Sequence, residues 1–245
     1  MKADPKVQRR LLDLQAIDTT LAQLAHRRRS LPERAELEAL ARELSALEDE
    51  RVRAQVAVDD LDRDIARLEK DVDQVRARKS KDEARLASGS GPARELEALQ
   101  HELVSLNRRQ SDLEDAELEL MEQRETAQGV LDGIEGRLAE ARERRGAAEQ
   151  RRDDALAEIA KEEEFKRTSR RPLADDLPGD LVTLYDKIRE DTGLGAALLT
   201  GGRCGGCRLD LSGADLARIR KADADDVVRC EECRRIMVRT NESGL

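Results

Sequence analysis

Apolar residues recur every three or four positions over most of this chain. One series runs Leu40, Leu44, Leu47, Ala54, Val58, Leu61, Ile65, Leu68, Val72, Val75 and Leu86, interrupted by Arg51, Lys79 and Asp82. A spacing averaging about 3.5 residues lays a narrow stripe on one helix face and favours a left-handed supercoil with a partner helix. The rhythm stops at Ser88-Gly89-Ser90-Gly91-Pro92, where two glycines and a proline end one helix and open the next. It resumes at Leu96, Leu99, Leu103 and Leu106. It then continues through Leu113, Leu120, Ala127, Leu131, Ile134, Leu138, Ala141, Ala148, Ala155 and Ile159. Gln110, Glu117, Arg124, Arg145 and Arg152 fill the other seam positions of this second arm.

Two such helices joined by a tight turn predict an antiparallel hairpin, in which residue numbers adding to about 181 face each other. Leu61 should therefore lie opposite the region of Leu120. Ser30 and Glu33 have capping-box spacing, and Pro32 falls in a first helical turn. These signals predict a short helix over 5–29, a break near 30–33 and a long helix over 32–87, the latter roughly 80 Å long. The second arm outruns the first, so the helix over 5–29 should cover its far end. Its earliest apolar residues, Val7, Leu11 and Leu14, would then reach the C-terminal part of the chain.

Pro172, Pro178 and Gly179 break the helical pattern, so residues 169–180 read as a linker. A short helix is expected over 180–191, with Leu181, Leu184, Tyr185 and Ile188 on one face. Gly193 and Gly195 then open the apolar run Ala196–Leu199. The expected organisation is a coiled-coil hairpin over 1–168 with its tip near 88–92, the linker 169–180, and a small domain over 181–245.

Composition narrows the functional classes. Charged residues make up 40% and aromatics 1%, Phe165 and Tyr185 being the two rings. So little aromatic area argues against one large globular enzyme domain. No apolar run approaches the roughly 20 residues of a membrane span, and the start lacks the apolar stretch of a signal peptide. A cytoplasmic protein with no membrane partner is expected. Residues 1–165 carry 30 Lys and Arg against 40 Asp and Glu, while residues 166–245 carry 15 against 14. Any contact with phosphate must therefore come from the C-terminal part.

The cysteines carry the chemistry. Cys204-Gly205-Gly206-Cys207 and Cys230-Glu231-Glu232-Cys233 are two Cys-x-x-Cys pairs separated by 22 residues. Each pair lets a tight turn aim two sulfurs at one metal, and two turns complete a closed tetrahedral shell of the structural zinc type. One structural Zn²⁺ is the expected cofactor, ahead of an iron–sulfur cluster with the same ligands. Disulfides would suit a secreted domain, and a redox pair needs only one motif in a βαβ setting. Between the pairs there is room for a strand and a short helix capped by Ser212 or Asp215, with Leu216 and Ile219 inward. Val227 and Val228 with Ile236, Met237 and Val238 read as a hairpin around the second pair. The result is a zinc ribbon with a small core, folded largely by its metal. No phosphate loop is present, and Gly193-Leu194-Gly195 reads as a turn. His26 and His101 read as solvated helix residues. The sequence holds no catalytic constellation, so a protein without enzymatic activity or small-molecule substrate is expected.

These residues resemble the bacterial C4-type zinc ribbon family with an N-terminal coiled coil. The likeness is carried by Arg94–Leu103, Leu113–Glu122 and Cys230–Val238. In that family the second knuckle usually reads Cys-Pro-x-Cys-Gly-Arg; here Arg234 replaces the glycine, so backbone strain is expected there. The fold implied is mainly α: a long antiparallel coiled-coil helical hairpin with a small C-terminal α+β zinc-ribbon domain. Only the four cysteines carry over as functional residues. The resemblance implies an adaptor for proteins or nucleic acids, with some members linked to transcription through an alternative sigma factor and to flagellar biogenesis.

Three functions follow as expectations. The first is a non-enzymatic adaptor that binds a protein partner, with a link to the transcription machinery. The second is RNA or DNA binding through ribbon arginines, Arg203, Arg208, Arg234, Arg235 and Arg239. Residues 203–239 hold nine Lys and Arg against seven acids and no aromatic for base stacking. The third is a regulator of the RNA polymerase secondary-channel type, acting through acids such as Asp82, Glu83 and Glu95 beside the tip.

Overall fold

The computed structural model describes residues 1–245. Its elements are α1 (Pro5–Arg29), α2 (Pro32–Ala87), α3 (Ala93–Asp175), α4 (Gly179–Thr192), β1 (Ala196–Thr200), β2 (Arg203–Cys204), α5 (Gly213–Lys221), β3 (Val228–Arg229) and β4 (Ile236–Val238). They form two compact units: Ala35–Glu149, and Met1–Arg34 together with Gln150–Leu245.

In the unit Ala35–Glu149, the expected seam is the buried stripe. Leu40, Leu47, Val58, Val72 and Val75 are buried on α2, as are Leu99, Leu131, Ile134, Leu138, Ala141 and Ala148 on α3. Leu61 and Leu120 are half-buried, as two-helix packing leaves most of its seam. Leu47 shares a cluster with Ile134, the residue the expected register sets opposite it. Polar interruptions of the two seams meet each other: Lys79 donates to Gln110 at 3.4 Å, and Gln110 donates to Glu114 at 2.8 Å. Exposed ion pairs cross between the arms, among them Arg78–Glu102, Arg124–Asp62 at 3.0 Å and Arg144–Glu43 at 2.6 Å. The last two join residues about five positions beyond the backbone register, because side chains lean toward their own helix N-terminus.

In the other unit, a four-stranded sheet has the order β2-β1-β4-β3. The expected hairpin of β3 with β4 is present and antiparallel, and β1 joins β4 in parallel, Ala196 beside Ile236. Successive strand residues face opposite sides. Ala196, Ile236 and Val238 therefore pack on one face with Leu11 and Leu14 of α1 and Leu181, Tyr185 and Ile188 of α4. Leu199 and Met237 pack on the other face with Ile219 and the cysteines. The unbroken apolar run Ile236–Val238 reflects cover on both faces.

The N-terminus is built into this unit. Ala3 N–H donates to the Asp225 carbonyl at 2.7 Å, Val227 N–H donates to the Met1 carbonyl, and Lys2 bonds Asp223 and Asp225. Gln15 of α1 accepts from the Gly195 and Ala196 N–H groups at 2.7 and 3.2 Å. Asp18, 3% exposed, takes two bonds from Arg170, another from the Tyr185 hydroxyl at 2.8 Å, and an ion pair with Arg189. Burial first, and then the Asp18 charge, raise the Tyr185 pKa, so its hydroxyl keeps the proton it donates. Gly195 is required by close approach, since a Cβ would lie 2.5 Å from the Tyr185 ring.

The linker expected over 169–180 is replaced up to Asp175 by helix. α3 runs straight through Pro172, which forfeits one backbone bond. Leu173 and Ala174 pack on the α1–α4 core and Arg170 is held by Asp18, so tertiary contacts outweigh the local break.

Candidate metal centre

The two Cys-x-x-Cys pairs fold into matching turns. In the first, Arg208 N–H donates to the Cys204 carbonyl at 2.7 Å and Cys204 N–H donates to the Leu209 carbonyl at 3.0 Å. In the second, Arg234 N–H donates to the Cys230 carbonyl at 2.9 Å and Cys230 N–H donates to the Arg235 carbonyl at 3.0 Å. The residue after each second cysteine turns left-handed: φ is 61° at Arg208 and 60° at Arg234. The strain expected at Arg234 is present, and Arg208 shares it. Gly205 sits under the β1 backbone, where a Cβ would meet the Leu198 oxygen at 2.7 Å.

All four sulfurs lie within 4.8 Å of one another. Cys204 and Cys233 are 3.8 Å apart, and Cys207 and Cys230 are 3.9 Å apart. Sulfurs bound tetrahedrally at about 2.3 Å from zinc are separated by roughly 3.8 Å. The donor set therefore fits one structural zinc, with Cys204, Cys207, Cys230 and Cys233 as its holders and no fifth ligand nearby in the cluster. Zinc there would bind the turns together and supply no reactive position. Burial pushes the Cys204 thiol up, and it pushes Cys230 up to about 12. Burial opposes the Cys233 thiolate too, but the Arg235 N–H and the neighbouring thiols outweigh it and hold Cys233 below the usual range.

Of the arginines expected at a nucleic-acid surface, only Arg234 and Arg235 share a cavity wall. Arg203 pairs with Asp210 at 2.9 Å. Arg239 donates to the carbonyls of Ile219, Ala222, Asp223, Ala224 and Asp226, closing the C-terminal end of α5. Arg235 donates to the Thr192 hydroxyl and carbonyl. Arg208 and Arg234 remain exposed, one on each knuckle. Ser212, not Asp215, caps α5, accepting from Asp215 N–H at 3.1 Å. His26 and His101 are exposed on their helices.

Two features were not legible in the sequence. One is the Asp18–Arg170–Tyr185 cluster. The other is a cavity of about 550 Å³ between α4 and the second knuckle. The amphipathic face of α4 was visible, but nothing local to either segment says that α4 meets the knuckle.

Residues 14–193 match the CT398-like coiled coil hairpin domain, and residues 203–237 match the C4-type zinc ribbon domain. Rv2229c of Mycobacterium tuberculosis is 41% identical over 98% of both chains. A solved structure from Mycobacterium smegmatis is 38% identical, covers 98% of this chain and all of its own, and superposes with a TM-score of 0.86. CT398 of Chlamydia trachomatis shares the fold at 19% identity, over 95% of this chain and 97% of its own, with a TM-score of 0.64. No helix of the protein is long and apolar enough to cross a membrane.

Proposed function

We propose that this chain, which belongs to the CT398-like coiled-coil hairpin family and carries a C4-type zinc ribbon, is a non-enzymatic adaptor that binds a protein partner. The observation that carries this reading is the internal use of the ribbon's cations. Arg203, Arg235 and Arg239 hold the ribbon's own carboxylates, hydroxyls and carbonyls. Binding to a nucleic-acid backbone draws its affinity from cations free to replace counterions on phosphates. Of the five arginines expected to meet phosphate, that leaves Arg208 and Arg234 without an internal partner, and two are few for that task. The helical unit Ala35–Glu149, by contrast, exposes apolar side chains such as Val52, Val56, Leu118 and Met121.

Nucleic-acid binding is the second reading. It is favoured by the matching positions of Arg208 and Arg234 in the two knuckles, and by their exposure. The secondary-channel reading loses support at the tip. Arg85 occupies Glu95 at 3.2 Å, and Arg78 lies 4.0 Å from Asp82.

Affinity capture from native lysate, with and without nuclease, separates the first two readings. A protein partner that survives nuclease is the expected result. Partners lost both to nuclease and to Cys204→Ser would move the function to nucleic acid.

A further inference from the structure

Arg235 stands between the metal centre and α4. Its backbone belongs to the second knuckle: its N–H points at the Cys233 sulfur, and its carbonyl accepts from Cys230 N–H at 3.0 Å. Its side chain leaves that knuckle. The stem crosses the first knuckle, where a Cβ at Gly206, between Cys204 and Cys207, would meet Arg235 Cδ at 2.6 Å. The guanidinium then reaches the last residue of α4. Nε donates to the Thr192 hydroxyl at 3.2 Å, and Nη2 donates to the Thr192 carbonyl at 2.8 Å. The final carbonyls of a helix have no partner within it. Gly193 N–H turns back to the Arg189 carbonyl, and Arg235 supplies the donor for Thr192.

These two bonds are the hydrogen bonds that join α4 to the knuckles. Elsewhere on this side a cavity separates them, with Leu184, Lys187 and Ile188 of α4 on one wall and Glu232 and Cys233 on another. The link therefore rests on the fork of one half-buried guanidinium rather than on packing. Four thiolates around zinc carry about −2. The neutral acceptors at Thr192 leave the Arg235 charge uncancelled, so it can offset part of that.

We propose that Arg235 is a positioning residue that couples the metal centre to α4, so that zinc occupancy sets the order of the last turn of α4 and of the cavity wall it forms. The coupling is reciprocal: whatever frees the end of α4 loosens the metal by the same factor. It goes beyond the adaptor reading and does not depend on what the chain binds.

The test uses the full-length protein, zinc-loaded and after zinc removal by a chelator. Arg235→Met keeps the stem and removes the fork. Arg235→Lys keeps the charge without the fork. Thr192→Val leaves both knuckles unchanged and removes the hydroxyl acceptor on α4. Hydrogen exchange reads the Gly193 N–H and the last turn of α4. In the wild type, zinc removal should speed exchange there about tenfold. In Arg235→Met, exchange should be fast with zinc bound, and zinc removal should add nothing. Transfer of zinc to a chromophoric chelator should run about tenfold faster in Arg235→Met, and by a smaller factor in Arg235→Lys and Thr192→Val. Cobalt-loaded Arg235→Met should keep the ligand-field spectrum of a tetrahedral four-thiolate site, since its cysteines are untouched. Wild-type exchange that ignores zinc overturns the proposal. A zinc effect on α4 that persists in Arg235→Met also overturns it, and moves the link to the Ile236 N–H bond with the Gly195 carbonyl. Zinc release from Arg235→Met at the wild-type rate does the same damage. If Arg235→Met does not load cobalt, Thr192→Val decides, and unchanged zinc release from it overturns the coupling.

Discussion

The hairpin unit Ala35–Glu149 and the ribbon unit reach stability by opposite routes. The hairpin repeats one small interaction many times. Seam residues range from fully buried, such as Leu47 and Val72, to half-buried, such as Leu61, and the crossing ion pairs are exposed and so contribute little alone. Loss of one link leaves neighbours above and below it. The ribbon unit concentrates its stability at a few places: four sulfurs, the buried Asp18 carboxylate, and the short strands of one sheet. A repeated seam absorbs damage locally. A concentrated core transmits it.

The largest break should come from Cys204→Ser. Structural zinc in zinc-finger peptides is worth about 10–16 kcal/mol at neutral pH, so losing a ligand should release the face holding Leu199, Ile219 and Met237. Far-ultraviolet circular dichroism should stay largely helical while zinc content falls from one per chain toward none. Loss of most of the helical signal would sink the division into two kinds of stability. Acidification should reproduce the metal loss. Because the Cys204 and Cys230 thiols are raised, both are protonated at neutral pH without metal, and zinc uptake must release protons. Calorimetric titration in buffers of different ionisation enthalpy should register that release. A heat independent of buffer would contradict it.

Asp18→Asn comes next. It removes the buried partner of Arg170 and Arg189, leaves them only the half-buried Asp186 at 2.6 and 3.4 Å, and should cost about 3 kcal/mol, read as a lower denaturant midpoint of the ribbon unit. A change under about 1 kcal/mol would mean that water or Asp186 already satisfies those guanidiniums. In the hairpin, Leu61→Asp should cost only about 1–2 kcal/mol, because the site is half-buried and the damage stays local. Hydrogen exchange should speed up near Leu61 and Leu120 and remain slow at Leu47. Uniform loss of protection along the hairpin would overturn the repeated-seam picture. The smallest effect has the opposite sign. Arg234→Gly relieves a left-handed residue and should stabilise the ribbon by up to about 1 kcal/mol, seen as a slightly higher melting temperature. A lower one would show that the Arg234 side chain contributes more than its backbone costs.

The sequence by itself determined the helices, their seam and the metal ligands. Leu47 opposite Ile134 and the paired Cys-x-x-Cys turns follow from periodicity and from the reach of a few neighbouring residues. It also placed Leu11 and Leu14 near the C-terminal part, since the second arm outruns the first and the helix over 5–29 is left to cover its far end. Only the tertiary structure decided what those leucines touch, that α3 continues through Pro172, and that most ribbon arginines serve the ribbon itself. Asp18 and Arg170 lie 152 positions apart, and Gln15 and Gly195 lie 180 apart. Contacts of that range leave no local spacing to read, because they exist only once the strands, α1 and α4 have been brought together by burial of the core they share.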